Sequence, residues 1–233
     1  MSFDYKVIRR PRRKTASISV HPDCSVRVLV PSFVTDCQVE ELIQRKTKWI
    51  KSKLSEFEEI RQKNRPKEYV SGESFSYLGR NYRLKVINSD LEEERAKLIQ
   101  SRFHVVVPAG LEQEARHQRV INQLSAWYRH QAAVRLQEKT ACYAKRLLVS
   151  PASVGIKDYR SRWGTCHSDG RIYYNWRIIM APHSVIDYVV VHELCHLVHL
   201  NHSKRFWDLV STILPDYAEQ KAWIKVNGSG LEV

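Results

Sequence analysis

The chain has 233 residues, 43% of them apolar, which is enough for one large domain or two small ones with a core. Its 38 Lys and Arg against 25 Asp and Glu give a net charge of +13, a field that favours polyanions or acidic partners. The opening residues are too polar for a signal peptide and no apolar run approaches the roughly 18 residues of a membrane span. Five cysteines, an odd number with no C-x-x-C, suit a reducing compartment, so the expectation is a soluble cytoplasmic protein with no membrane partner.

In chain order, residues 5–10, 15–21 and 25–30 alternate or run apolar and are broken at His21-Pro22-Asp23, which predicts short antiparallel strands. Arg9-Arg10-Pro11-Arg12-Arg13-Lys14 is the densest basic cluster. It reads either as a phosphate-contacting arm, a route to nucleic acid through the basic surface, or as a strand edge whose charges discourage aggregation. The second reading has more weight, because basic runs alone are weak evidence. Over residues 39–62, Val39, Leu42, Ile43, Trp49, Ile50, Leu54 and Phe57 fall at helical spacing with a charged outer face. Strand signals return at 74–77, 82–87, 97–99 and 102–107, with Gly79-Arg80-Asn81 as a turn. Residues 1–110 are therefore expected to form an N-terminal antiparallel β-rich lobe crossed by one helix.

Residues 111–227 are expected to form a second, mainly helical lobe. The stretch 111–148 lacks Gly and Pro, and Val120, Leu124, Trp127 and Val134 mark its helical face. Residues 154–159 and 171–179 read as strands flanking turns at Trp163-Gly164 and Ser168-Asp169-Gly170. Residues 206–214 and 217–226 read as helices on either side of Pro215, and residues 228–233 as a flexible tail outside the fold. The resulting class is α+β.

Between these elements lies the most informative stretch, His192-Glu193-Leu194-Cys195-His196. Two histidines four residues apart share one helical face, with Cβ atoms roughly 5–6 Å apart, so both rings can reach one tetrahedral ion. Glu193 stands beside that ion, where a carboxylate can take a proton from water. The preceding run from Pro182 to Val191 is apolar on several faces, which predicts a buried helix in which unpaired histidines would be costly. His199 and His202 compete as third ligand. His199 sits about 10 Å further along the same helical face. A left-handed turn at Asn201, followed by a helix capped by Ser203, would swing His202 back over the metal. The spacing favours His202, with His199 lining the site.

Arg162-Trp163-Gly164-Thr165-Cys166, Gly170-Arg171-Ile172-Tyr173-Tyr174-Asn175-Trp176-Arg177, Ala181-Pro182 and the run from Val185 through His196 resemble the YgjP-like metallopeptidase family. Asn201-His202-Ser203 and Phe206-Trp207 complete the pattern, and Tyr77-Leu78-Gly79-Arg80-Asn81-Tyr82 and Arg12-Arg13-Lys14-Thr15-Ala16 look like further landmarks. The resemblance implies a zincin-like catalytic lobe with Zn2+ held by His192, His196 and His202 and with Glu193 as general base. The pattern is also similar to SprT-like and WLM peptidases, some of which cut proteins crosslinked to DNA.

The expected reaction is hydrolysis of a peptide or protein substrate by metal-activated water. Arg160, Arg162 and Tyr173 are candidates to stabilise the oxyanion, and Arg162, Trp163 and Tyr173 to contact substrate. Asp187, Asp208 and Glu219 are available to orient the ligand rings, and the strand at 171–179 to hold an extended peptide by edge pairing. Two other readings keep the metal site: a metal-dependent hydrolase of nucleotide phosphoanhydrides, and a DNA-recruited protease. A third makes the protein a nucleic-acid-associated module dominated by its basic lobe.

Overall fold

The computed structural model describes residues 3–21, 23–63, 67–89 and 95–233, with side chains throughout except at 59–63. The fold is α+β, built on several small sheets. It divides into two compact units, Met1–Pro66 and Lys67–Val233.

In the first unit, strands β1 (Tyr5–Arg10), β2 (Ser17–Val20) and β3 (Val26–Pro31) form one sheet in the order β1-β3-β2, joined by helix α1 (Asp36–Lys63). Val26, Val28 and Val30 alternate inward from β3 onto Val39, Ile43 and Ile50 of α1, giving this unit its own core. β2 and β3 are the expected antiparallel pair, with Ile18 opposite Val28. Their reversal is held by Asp23, whose Oδ1 accepts the Ser25 N–H at 2.9 Å, and by Cys24 in the left-handed region. Pro22, part of the predicted break, lies outside the described residues.

β1 departs from the antiparallel expectation and runs parallel to β3, from Tyr5 opposite Val26 to Arg10 opposite Pro31. The charged, proline-containing segment 11–16 is no two-residue hairpin turn, so β1 and β2 do not pair directly. The strand with three buried valines takes the centre, paired on both edges, and the charged strand is left outside. Much of the basic cluster is tied into this arrangement. Arg9 bonds the Val34 carbonyl and the Asp36 carboxylate, and Arg13 donates to Thr15 O at 2.6 Å and Ser17 Oγ at 2.7 Å.

The second unit opens with β4 (Ser74–Tyr77), β5 (Arg80–Asn88), β6 (Lys97–Ile99) and β7 (Arg102–Val107) in the order β4-β5-β7-β6. Phe103, Val105 and Val107 alternate inward, into the same core as Val120, Leu124, Trp127 and Tyr128 of α2 (Gln113–Leu147). Tyr77, Phe103 and Tyr128 all pack edge-on or tilted around Trp127, with centroids between 4.8 and 5.2 Å from it. Each such side chain contributes about 1.5–3 kcal/mol by burial. Strands 74–107 therefore stay with the long helix, and the division falls at 66/67 where the sequence pattern placed it at 110/111.

Beyond α2 come β8 (Ser153–Lys157), β9 (Gly164–Cys166) and β10 (Arg171–Asn175), in the order β8-β10-β9. The strand expected over 171–179 stops at Asn175, whose side-chain oxygen accepts the Arg177 N–H and starts a 3-10 turn, Trp176–Met180. Trp176, Ile178, Ile179 and Met180 are all buried, and a nearly continuous apolar run interrupted only by Arg177 carries no clear period to separate strand from turn. Helices α3 (His183–Cys195), α4 (Lys204–Ile213) and α5 (Tyr217–Asn227) follow. Residues 228–233 are not the flexible tail expected from their composition. Gly228–Gly230 forms a 3-10 turn, and Leu231 is 6% exposed within the core of this unit. Gly228 lies so close to the Trp163 ring that an added Cβ would sit 2.9 Å from it. Among the described residues no helix is long and apolar enough to cross a membrane.

Candidate metal centre

Pro182 precedes α3, and its carbonyl accepts the N–H groups of Val185 and Ile186 at 3.0 and 3.1 Å. The helix is buried on nearly every side, as its composition predicted: Val185, Ile186, the run Tyr188–Val191, Leu194 and Cys195 are all in the core. It ends at Cys195, earlier than expected, with His196 as its cap residue. Asn201 is not left-handed. Its side-chain oxygen accepts the Ser203 N–H at 3.3 Å, and this local turn, rather than a backbone reversal, leads into α4.

The outcome is that His192, His196 and His202 converge. Each offers one ring nitrogen, all within 4.8 Å of one another, and the rings form a near-equilateral triangle with centroids 4.8–4.9 Å apart. The Nε2 atoms of His192 and His202 face each other at 3.0 Å. Tetrahedral bonds of about 2.0–2.1 Å would place two such nitrogens roughly 3.3 Å apart, which the His192–His202 pair already matches, and small rotations of the rings bring a trio within 4.8 Å onto a single ion. Phe206 packs under all three rings, at 4.7–5.0 Å. His202, the exposed member, stacks on Trp207 at 5.5 Å, and Trp207 stacks in turn on Tyr217 at 5.2 Å.

Ring chemistry supports the fit. Burial, reinforced by the charges of His196, His202 and Lys221, pushes His192 down to about 3, and burial also lowers His196. Both are therefore neutral near pH 7, the state a metal needs. His196 Nδ1 lies 3.1 Å from the His199 carbonyl, which fixes the ring and leaves Nε2 free for the centre. His199 thus contributes its backbone. Asp187 and Asp208 are paired with Lys139 and Lys204 instead of with ligand rings, and no described hydrogen bond joins Glu219 to them. His192 Nδ1 is buried without a hydrogen-bond partner.

Glu193 is 6% exposed. Burial pushes its carboxyl up to about 8, opposed by the Cys166 backbone N–H, which donates to it, and by the Arg162 guanidinium. That approach requires Gly164: an added Cβ there would lie 2.6 Å from both Cγ and Oε1 of Glu193. Arg160, Arg162 and Trp163 line one cavity of about 680 Å3 together with Tyr159, which senses the charges of both Arg162 and Glu193. Tyr173 does not line that cavity; its ring packs against Gly155, Lys157 and His167, within electrostatic reach of Tyr159. β10 is paired on both sides, so the edge-pairing role expected for residues 171–179 is closed to it. Spacing gave no sign of Gly164 or Tyr159, which reach Glu193 only through the tertiary fold; the signal for Phe206 and Trp207 was their place three and four residues after Ser203.

The family described as "YgjP-like, metallopeptidase domain" matches residues 14–227, and the chain belongs to it. Membership makes it a hydrolase of the metallopeptidase kind and implies a metal ion, for which the three-histidine group is suited. Among solved structures, the metallopeptidase zymogen of Pyrococcus abyssi abylysin matches at 19% identity and a TM-score of 0.36, over 40% of this chain and 95% of that one. No curated protein matches the chain.

Proposed function

We propose that this protein is a zinc-dependent peptidase in which His192, His196 and His202 hold the ion and Glu193 moves the proton. The observation that carries this reading is the convergence of three imidazoles, two of them held neutral by burial, beside one buried carboxyl. Three imidazole nitrogens without a thiolate suit zinc, and three protein ligands leave a fourth position open as catalytic sites require. When bound, zinc supplies Lewis-acid stabilisation of the charge that develops on the scissile carbonyl. Glu193, buried beside the trio, accepts a proton from the attacking water and passes it to the leaving amine. β9, an edge strand beside Glu193, is the strand available to an extended substrate. Arg162 and Trp163 form the substrate-facing wall of the neighbouring cavity, and Tyr173 supports the sheet.

The test is to incubate zinc-loaded protein with an unfolded protein and with a nucleotide panel. New peptide termini, abolished by a chelator and restored by zinc, are expected by mass spectrometry. Phosphate release from nucleotides without peptide cleavage would overturn the proposal.

Two substitutions probe the supports. Gly164→Ala puts a Cβ 2.6 Å from Glu193 and forces the carboxyl to move by roughly 1 Å, a misplacement that costs about a hundredfold in turnover. The expected result is a kcat reduced about 100-fold with KM and zinc content little changed. Trp207→Ala removes the platform under His202, and a chelator competition should show zinc affinity weakened by about 10-fold to 100-fold, with circular dichroism unchanged.

A further inference from the structure

The first unit carries a feature that peptide hydrolysis does not use. Trp49 is 43% exposed on α1, and with Ala16, Ser17, Ile18, Leu42 and Lys46 it lines a groove of about 230 Å3 beside the outer strand β2. Helical spacing puts Arg45 and Lys46, four and three residues earlier, next to Trp49 on the helix surface. Both are exposed, and neither has an acidic partner among the described residues. Other cations of this unit do have partners: Lys53 pairs with Glu56 and Arg9 with Asp36. A third cation, Arg13, is fastened to Ser17 in the groove wall.

We infer that this groove is a docking surface for single-stranded nucleic acid. An exposed indole flanked by unpaired cations provides the two elements such binding needs: a flat face on which a base stacks, and positive charge that tracks the backbone. Charge complementarity selects this occupant. The described groove residues, which include Lys46, together with Arg45 on the helix and Arg13 before β2, contribute cations and no carboxylate, on a chain of net charge +13. An apolar peptide would leave those charges unused, and a second copy of the chain would bring like charge to like.

The test uses the full zinc-loaded chain and fluorescence anisotropy with labelled oligo-dT and oligo-U of about 20 nucleotides, with poly-glutamate and duplex DNA as competitors. Log affinity should fall linearly with log salt. Trp49→Ala should weaken binding about tenfold and Trp49→Phe should restore most of it, because phenylalanine still stacks. Arg45→Glu combined with Lys46→Glu should weaken binding further and flatten the salt slope by about 1.4. Peptide cleavage should not change in any of these variants. Preference for oligo-dT or oligo-U would identify the strand type. Absence of binding by the parent chain, equal displacement by poly-glutamate, or affinity untouched by Trp49→Ala would each overturn the inference without bearing on the peptidase site.

Discussion

Glu193→Gln is expected to hold zinc as the parent chain does and to lose peptide hydrolysis by about 10²-fold to 10⁴-fold in kcat, the range that general acid–base catalysis supplies. Glutamine keeps the shape of the side chain and can still accept the Cys166 N–H, so the site should keep its geometry. It lacks only a group that gains and loses a proton. Single-turnover kinetics on an unfolded protein substrate, read beside zinc content, separates this from a collapse of the centre. A fully active Glu193→Gln protein would remove Glu193 from the mechanism.

The same substitution should stabilise the chelated protein, and the direction with pH follows from the Glu193 carboxyl. Its value near 8 in the folded chain lies above the ordinary 4.5, so between those limits the folded state holds a proton that the unfolded state has released. Stability of the metal-free parent therefore falls as pH rises through that window. Glutamine removes the titration, so its advantage is nil near pH 4 and grows to about 1–3 kcal/mol by pH 7–8. Thermal melts of both proteins with chelator at pH 4, 6 and 8 check this. A constant difference across the three would contradict it.

Part of the site was legible in the sequence and part was not, and the difference follows the distance along the chain between the residues that meet. His192 and His196 follow from the helical period alone, and the choice of His202 from its spacing of ten residues, although the helix breaks at Cys195 and not at the Asn201 expected. Gly164 meets Glu193 from 29 positions away, across a sheet–helix contact, and only coordinates reveal that a side chain has no room there. The same holds for larger elements. β1 carried a strand's pattern, yet its parallel partner is set by which strand buries the most valine, a competition among three segments. The Gly-Ser-Gly start of residues 228–233 looks like a flexible tail by composition; Leu231 nonetheless joins the core of the unit, and Gly228 fits because Trp163 leaves no room for a Cβ.

His202→Ala is the second large effect, and it separates the two candidates for third ligand. His202 is exposed, and its ring rests on the surfaces of Phe206 and Trp207, so truncation should leave the fold intact. A structural zinc site is worth about 10–16 kcal/mol over its ligands, which makes one ligand worth roughly 3 kcal/mol. Loss of at least about a hundredfold in zinc affinity follows, read by elemental analysis after dialysis and by chelator competition. Zinc at 100 times its dissociation constant should raise the parent's stability by about 2.7 kcal/mol, and the variant's by about 0.4 kcal/mol or less at that concentration. His199→Ala gives the opposite result for a geometric reason. The His199 group that meets His196 Nδ1 is a backbone carbonyl, which alanine also has, so zinc content and melting temperature should stay at parental values. If His199→Ala released the metal and His202→Ala kept it, the ligand set proposed here would be wrong at its third member, and the 3.0 Å approach of His202 to His192 would be a contact between neighbours and nothing more.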